Sequence, residues 1–152
     1  MKRKKVLFVC SGNTCRSPMA EMIFRAEIKK RKIKFVDSAS AGLFAPADGV
    51  ISHASAVCLD RLGLDYSKFR PRQLKHRMIE NCYLVICMTQ EQKALLEGTE
   101  NVYSIRDIAG FDIPDPYGQE QEAYDRTAKL IGKAVDIIIK KFFAEGQNVK
   151  QQ

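Results

Sequence analysis

Cys10 and Arg16, with five residues between them, are the pair in this chain whose types and spacing can do chemistry together. A thiolate is a strong nucleophile, but a free thiol titrates near pH ~8.5, so activity at neutral pH needs surroundings that favour the anion. A helix N-terminus contributes about 0.3–2 kcal/mol of that. The interval Ser11-Gly12-Asn13-Thr14-Cys15 is long enough to curl so that its N–H groups converge on one point, forming an anion nest. Gly12 is expected to supply a backbone conformation closed to other residues. Arg16 can fork two donors onto two oxygens of a phosphoryl group, and a helix opening at Ser17 aims its positive end at the same place. The implied chemistry is attack by Cys10 sulfur on a bound phosphoryl group. Against this, a lone cysteine ending a buried strand is more commonly a small core hydrophobe. Neither a Gly-Lys-Ser/Thr phosphate loop nor Gly-x-Gly-x-x-Gly is present.

A leaving group in such a reaction needs a proton, and a carboxylic acid on a loop can give it. Asp115 sits between Pro114 and Pro116, which stiffen the backbone, and Asp112 competes with it three residues earlier. Ser17 is read as a donor to the Cys10 sulfur or as a helix cap. Asn13 is read as a bond across the loop or as a turn residue. Cys15 is a small loop residue or a redox partner that peroxide would join to Cys10 in a reversible disulfide.

The elements that must position these groups follow from hydrophobic patterning. Lys4–Val9 reads as a buried strand. A helix follows from Ser17, with Pro18 in its first turn and Glu21 complementing the positive end. Lys34–Ala41 is a second strand, residues 42–49 a loop and His53–Leu62 a helix closed by Gly63. A short helix or turn over Met78–Cys82 leads to a third strand, Tyr83–Met88. Thr89 caps a helix that runs through Leu96, with Gly98 after it. Asn101–Ser104 is a fourth, weak strand, Ile108–Gly118 a loop, and Glu120–Phe143 the last helix, striped by Ala123, Ala128, Ile131, Val135, Ile138 and Phe142. Alternating strands and helices imply an α/β fold, a three-layer α/β/α sandwich whose sheet is parallel with helices on both faces. Cys10 then opens a loop at the carboxyl end of the first strand, where ligands sit in such folds.

The 152 residues suit a single domain, 1–152, with 1–3 and 146–152 expected to fray. The cysteines number five and no export signal precedes them, which fits a reducing, cytoplasmic setting. No apolar run reaches the ~20 residues of a membrane span. Neither cysteine spacing nor His53 and His76 offer a metal site, and no cofactor is called for. The net charge of +7 favours anionic partners. Its clusters at Lys2–Lys5 and Lys29–Lys34 read as solvated helix ends rather than a nucleic-acid surface, because no aromatics interleave with them. The expected partners are phosphorylated proteins, with inorganic phosphate or a similar oxyanion in the loop. Neither a membrane nor nucleic acid is expected.

Val6–Val9 followed by Cys10-Ser11-Gly12-Asn13-Thr14-Cys15-Arg16-Ser17-Pro18-Met19-Ala20-Glu21 resembles the active-site signature of the low-molecular-weight protein tyrosine phosphatases. Ser40-Ala41-Gly42, Arg72-Gln73-Leu74 and Asp115-Pro116-Tyr117 extend the resemblance over most of the chain. It implies a four-stranded parallel sheet and a two-step, metal-free protein phosphatase in which Cys10 takes the phosphoryl group, Arg16 holds it and Asp115 protonates the leaving group. Water assisted by Asp115 then hydrolyses the cysteinyl phosphate. Phe44 and Tyr117 would be aromatic walls for the substrate, unless they are ordinary packing. Thr14 stands where tyrosine-specific members carry an aliphatic residue; with Phe44 and Gly118 it resembles the arginine phosphatase branch, so phosphoarginine competes with phosphotyrosine. Phe69 stands where the family often has a histidine that helps to orient the loop asparagine. Two alternatives accompany this reading. A thiol-dependent arsenate reductase shares the loop but needs further relay cysteines, for which Cys82 and Cys87 are poorly placed. A non-catalytic phosphoprotein-binding module is the other.

Overall fold

The computed structural model describes residues 3–96 and 99–143. Of the positions read above, Met1, Lys2, Gly98 and 146–152 lie outside the described residues. The chain runs β1 Lys4–Cys10, α1 Arg16–Lys30, β2 Val36–Gly42, α2 His53–Arg61, α3 His76–Asn81, β3 Leu84–Cys87, α4 Gln90–Ala94, β4 Val102–Ser104, α5 Ile105–Ala109 and α6 Gln121–Phe142.

The four strands form one parallel sheet in the order β2-β1-β3-β4. The chain goes from β1 to β2 on one side and returns across β1 to β3 on the other. A crevice therefore opens at the carboxyl ends of β1 and β3, and Cys10, the last residue of β1, lies at its edge.

Strand periodicity divides the core in two. Val6, Phe8 and Cys10 of β1 face the larger layer with Leu84 and Ile86, where α1, α2, α5 and α6 pack. Phe24 meets both Phe8 and Phe143 edge-on, with centroids 5.6 and 6.1 Å apart. Burying each such side chain contributes about 1.5–3 kcal/mol. Leu7, Val9, Val85, Cys87, Ala39, Ala41 and Val102 face a thinner layer closed by Ile79 of α3, with Leu74 and Leu96 packed against it. This is the expected α/β architecture, with helices on both faces.

Two local expectations change. The segment read as loop from Ile108 includes the end of a helix, α5. The Ser104 hydroxyl accepts from the Asp107 N–H, the Asp107 carboxylate accepts from the Ser104 N–H, and Gly110 at φ 88° ends the helix. Five residues are too few to display a helical period. Glu21 does not complement the first turn of α1. It faces β2, accepting from the Ser40 hydroxyl at 2.6 Å and pairing with Arg25 at 2.9 Å.

Candidate active site

Between β1 and α1 the backbone turns through Ser11–Cys15. Neighbouring segments take up its carbonyls: Leu43 N–H donates to Cys10 O at 2.9 Å, Phe44 N–H to Ser11 O at 2.8 Å, Ser52 N–H to Thr14 O at 2.8 Å and Ser55 Oγ of α2 to Cys15 O at 3.3 Å. In a trans peptide the next N–H points opposite to the carbonyl. The N–H groups of Ser11, Gly12, Cys15 and Arg16 are thus turned away from these donors, as an anion nest requires. Arg16 is buried, and its Nη1 donates to Ile113 O at 3.0 Å, holding the guanidinium against the late loop.

Asn13, not Gly12, carries the unusual backbone. Asn13 has φ 58°, a left-handed conformation that asparagine tolerates well, whereas Gly12 is not left-handed. Asn13 is fully buried and bridges two partners. Its Oδ1 accepts from Arg72 N–H at 2.9 Å, which fixes the amide orientation because that N–H can only donate. Its Nδ2 therefore donates to Ser17 Oγ, at 2.8 Å. The Ser17 oxygen, 2.9 Å from Cys10 Sγ, is left with its own proton free to point at sulfur. No capping bond from a side chain forms at the start of α1, so of the two readings of Ser17 the contact with sulfur is the one present. Phe69, in the place of the expected histidine, packs against the core, and Arg72 backbone supplies the contact to Asn13.

Gly42 was not singled out from the sequence as a site residue, yet the loop rests on it. A Cβ there would lie 2.9 Å from Asn13 N, Gly12 C and Ser11 O. Its N–H donates to Arg72 O at 2.8 Å and its carbonyl accepts from Leu74 N–H at 2.8 Å. Ser40-Ala41-Gly42 was visible as part of the resemblance, but the contact joins parts of the chain that only β1–β2 pairing, Cys10 beside Gly42, brings together. Gln92 of α4, whose Nε2 donates to Ser11 Oγ at 3.2 Å, was missed for the same reason.

The two candidate acids are separated by their partners. Asp112 accepts from Arg106 Nη2 and from Gln90 N–H, both at 3.0 Å, and the guanidinium contact holds its carboxyl below the usual range. Asp115 lies 3.7 Å from Arg16 Nη2 with its side chain 51% exposed. Among the described residues its Oδ1 accepts only from the Tyr117 N–H two residues on, at 3.1 Å. Phe44 and Tyr117 are 74% and 79% exposed, so neither is ordinary packing. Phe44 is tied by its N–H to the Ser11 carbonyl, and Tyr117 follows the acid. Thr14 is half-buried, its hydroxyl 3.5 Å from where a side chain on Gly12 would begin.

Cys15 belongs to the loop itself, whereas Cys58 and Cys87 sit elsewhere. Cys15 is buried, with Sγ 3.8 Å from the Tyr124 hydroxyl; burial and that contact push Tyr124 up to about 12. Cys58 donates to Asp125 at 3.3 Å and is raised to about 11 by burial first and that carboxylate second. Cys87 is fully buried in the thinner core layer and pushed up to about 12 by burial, a poor relay thiol for the reductase alternative. Among the described residues no group of three or more His, Cys, Asp or Glu side chains is placed to hold a metal ion.

Residues 5–150 match the family described as low molecular weight phosphotyrosine protein phosphatase. A low molecular weight protein-tyrosine-phosphatase, Ptp, of Acinetobacter johnsonii is 30% identical over 140 residues, 89% of this chain and 95% of that protein. A protein-arginine-phosphatase of Bacillus subtilis is 31% identical over 132 residues, 80% and 85% of the two chains. The crystal structure of a low molecular weight protein tyrosine phosphatase from T. tengcongensis superposes with a TM-score of 0.86 at 36% identity, covering 91% of this chain and 99% of that one.

Proposed function

The chain belongs to the low molecular weight phosphotyrosine protein phosphatase family, and from that premise we propose that Cys10, Arg16 and Asp115 hydrolyse phosphorylated side chains of proteins at the loop between β1 and α1. The protein is a phosphatase that works through a cysteinyl phosphate. In the first step Cys10 sulfur attacks phosphorus. The bond from phosphorus to the side-chain oxygen or nitrogen breaks, and Asp115 gives its proton to the departing atom. The N–H groups of Ser11, Gly12, Cys15 and Arg16, with the Arg16 guanidinium, hold the equatorial phosphoryl oxygens. In the second step water attacks phosphorus, the Asp115 carboxylate takes its proton, and Cys10 leaves as thiolate while phosphate is released. The observation that carries this reading is the Asn13-to-Ser17-to-Cys10 chain of contacts, at 2.8 and 2.9 Å. It directs a hydroxyl hydrogen-bond donor at the sulfur that must first attack and then depart.

The two solvent-facing rings, Phe44 and Tyr117, suit a flat group attached to the phosphoryl, either the phenol ring of tyrosine or the guanidinium of arginine. Thr14 sets the ratio between them. Its hydroxyl, beside the nest, can hold the P–N group of phosphoarginine, whereas an aliphatic side chain there suits the phenol ester. Parallel kinetics on phosphotyrosine and phosphoarginine peptides test both parts. Thr14→Ile is expected to move the kcat/KM ratio toward phosphotyrosine by about tenfold, the scale of one lost hydrogen bond; an unchanged ratio removes Thr14 from the account. Cys10→Ser is expected to abolish turnover while phosphopeptides still bind. Retained turnover overturns the nucleophile assignment, and binding with no turnover by the wild-type chain would favour the non-catalytic module.

A further inference from the structure

A cavity of about 300 Å³ lies between the loop that carries Asp115 and the first turns of α6. Pro114, Pro116 and Leu130 give it apolar walls, and Gln119 and Arg126 give it polar ones. Resting on the phosphatase reading, we propose that this cavity is a substrate subsite, in which Arg126 takes an acidic side chain flanking the phosphorylated residue.

Contiguity comes first. Asp115 lines the cavity and also stands 3.7 Å from Arg16, so a single residue separates it from the phosphoryl cradle. An extended peptide advances about 3.3 Å per residue, which brings a neighbour of the phosphorylated residue within reach. Size comes next. At about 300 Å³ the cavity lies at the lower end of the range for ligand pockets, which leaves room for an acidic side chain with its methylenes against the prolines and Leu130.

Charge decides which side chain. Arg126 is exposed and forms no ion pair among the described residues. The neighbouring acids of α6 are engaged elsewhere: Asp125 with Arg61 at 2.9 Å, and Asp136 with Arg31 at 2.7 Å and Lys140 at 3.0 Å. Glu122, one turn before Arg126, makes no ion pair with it. Arg126, Lys129 and Lys133 are spaced so that they share one side of α6, and all three are exposed. This cationic ridge leads away from the cavity. Asp115, the one carboxylate among the described residues that line the cavity, is offset by Arg16. A carboxylate is the group such a surface attracts, and guanidinium can grip it with two donors.

These contacts are the same before and at the transition state, so they lower KM and leave kcat alone. The test compares phosphotyrosine peptides, and a parallel phosphoarginine set, carrying either Glu or Ala beside the phosphorylated residue. Each rate is divided by the same protein's rate on p-nitrophenyl phosphate, which has no flanking residues. Wild type is expected to favour the Glu peptides about fivefold in kcat/KM, an effect confined to KM and weakened by salt. Arg126→Glu is expected to reverse the preference, and Lys129→Glu to reduce it. No preference in wild type, or one that Arg126→Glu leaves intact, overturns the subsite. Affinities of the same peptides for Cys10→Ser and for Cys10→Ser with Arg126→Glu keep the two readings apart. If wild type fails to turn over p-nitrophenyl phosphate, the phosphatase reading falls, while loss of Glu preference in the double variant still supports the subsite and its persistence still overturns it.

Discussion

The loop that would hold the phosphoryl group and the loop that would supply the proton meet at Arg16, yet they are built on opposite terms. The first is buried and tied from every side, with Asn13 fully buried, Gly42 packed backbone to backbone against it and its carbonyls taken by Leu43, Phe44, Ser52 and Ser55. The second projects. Asp115 is half-exposed, Tyr117 is 79% exposed, and the segment is anchored mainly by Ile113 N–H to Met88 O at 2.9 Å and by Arg16 to Ile113 O at 3.0 Å. Charge on phosphorus must be met by donors already in place, because reorganising them during the reaction costs rate. A proton donor needs only to reach a leaving atom that differs between substrates, so a stiff, exposed loop suffices.

The largest expected effect sharpens that division. Asp115→Asn is expected to lower kcat by about 10²–10⁴ on phosphotyrosine, the range for a lost general acid, while the inhibition constant for inorganic phosphate changes less than about twofold if the cradle is independent of the acid. A comparable loss of phosphate affinity would show that the two loops act as one unit.

Glycine substitution probes both loops with the same atom. Gly42→Ala forces a methyl group against three backbone atoms at 2.9 Å and is expected to cost about 1–3 kcal/mol in denaturant unfolding, together with phosphate affinity. Gly118→Ala meets open space but keeps φ 77°, so about 1 kcal/mol is expected, with phosphate affinity unchanged. Equal costs at the two sites would break the comparison.

Asn13→Asp keeps the size and the left-handed tolerance but removes the donor to Ser17. Ser17 is then expected to give its proton to the carboxylate instead of to Cys10. A fall in kcat of about tenfold, the scale of one hydrogen bond, should be accompanied by build-up of phosphoenzyme in rapid-quench measurements. Normal turnover would disconnect Asn13 from the sulfur.

The smallest effect is on acid stability. The Arg106 guanidinium holds Asp112 below its usual range; at Asp107, burial acts upward but is outweighed by Lys93 and the Ser104 N–H. Stability from both is therefore complete above about pH 4, the unfolded value, and is lost as pH falls through the lower folded values. Both residues support the entry to the acid loop, whereas the bonds of Asn13 and Gly42 involve no carboxylate. Amide exchange between pH 5 and 3 is expected to rise first around Ile105–Asp115. Uniform acceleration would count against two separately held loops.

The candidate cradle was legible because the residue types proposed for it are contiguous: nine residues, Cys10–Pro18, carry the proposed nucleophile, the loop, the arginine and the helix start in one run. The sheet was legible from apolar runs between helical patterns. Its supports were not. Gly42, Arg72 and Gln92 meet the loop only because β1 lies between β2 and β3, and single-chain periodicity says nothing about which backbone will come within 2.9 Å of another. The left-handed role went to Gly12 by residue type, but Asn13, bonded on both sides, pays for that conformation with its side chain. The helix α5 escaped because five residues show no period, although Ser104 and Asp107 carried its capping signature.

The outward bonding of the cradle carbonyls has a consequence for transplantation. Rotating any one of those peptide planes would strand a donor on a different loop, so the polarity of the nest belongs to the whole carboxyl edge of the sheet. Cys10–Pro18 grafted onto another strand and helix would carry the proposed nucleophile and the arginine but not the inward N–H groups proposed to bind an anion. A graft that preserves it must also bring the β2 edge through Phe44 and the α2 entry at Ser52 and Ser55.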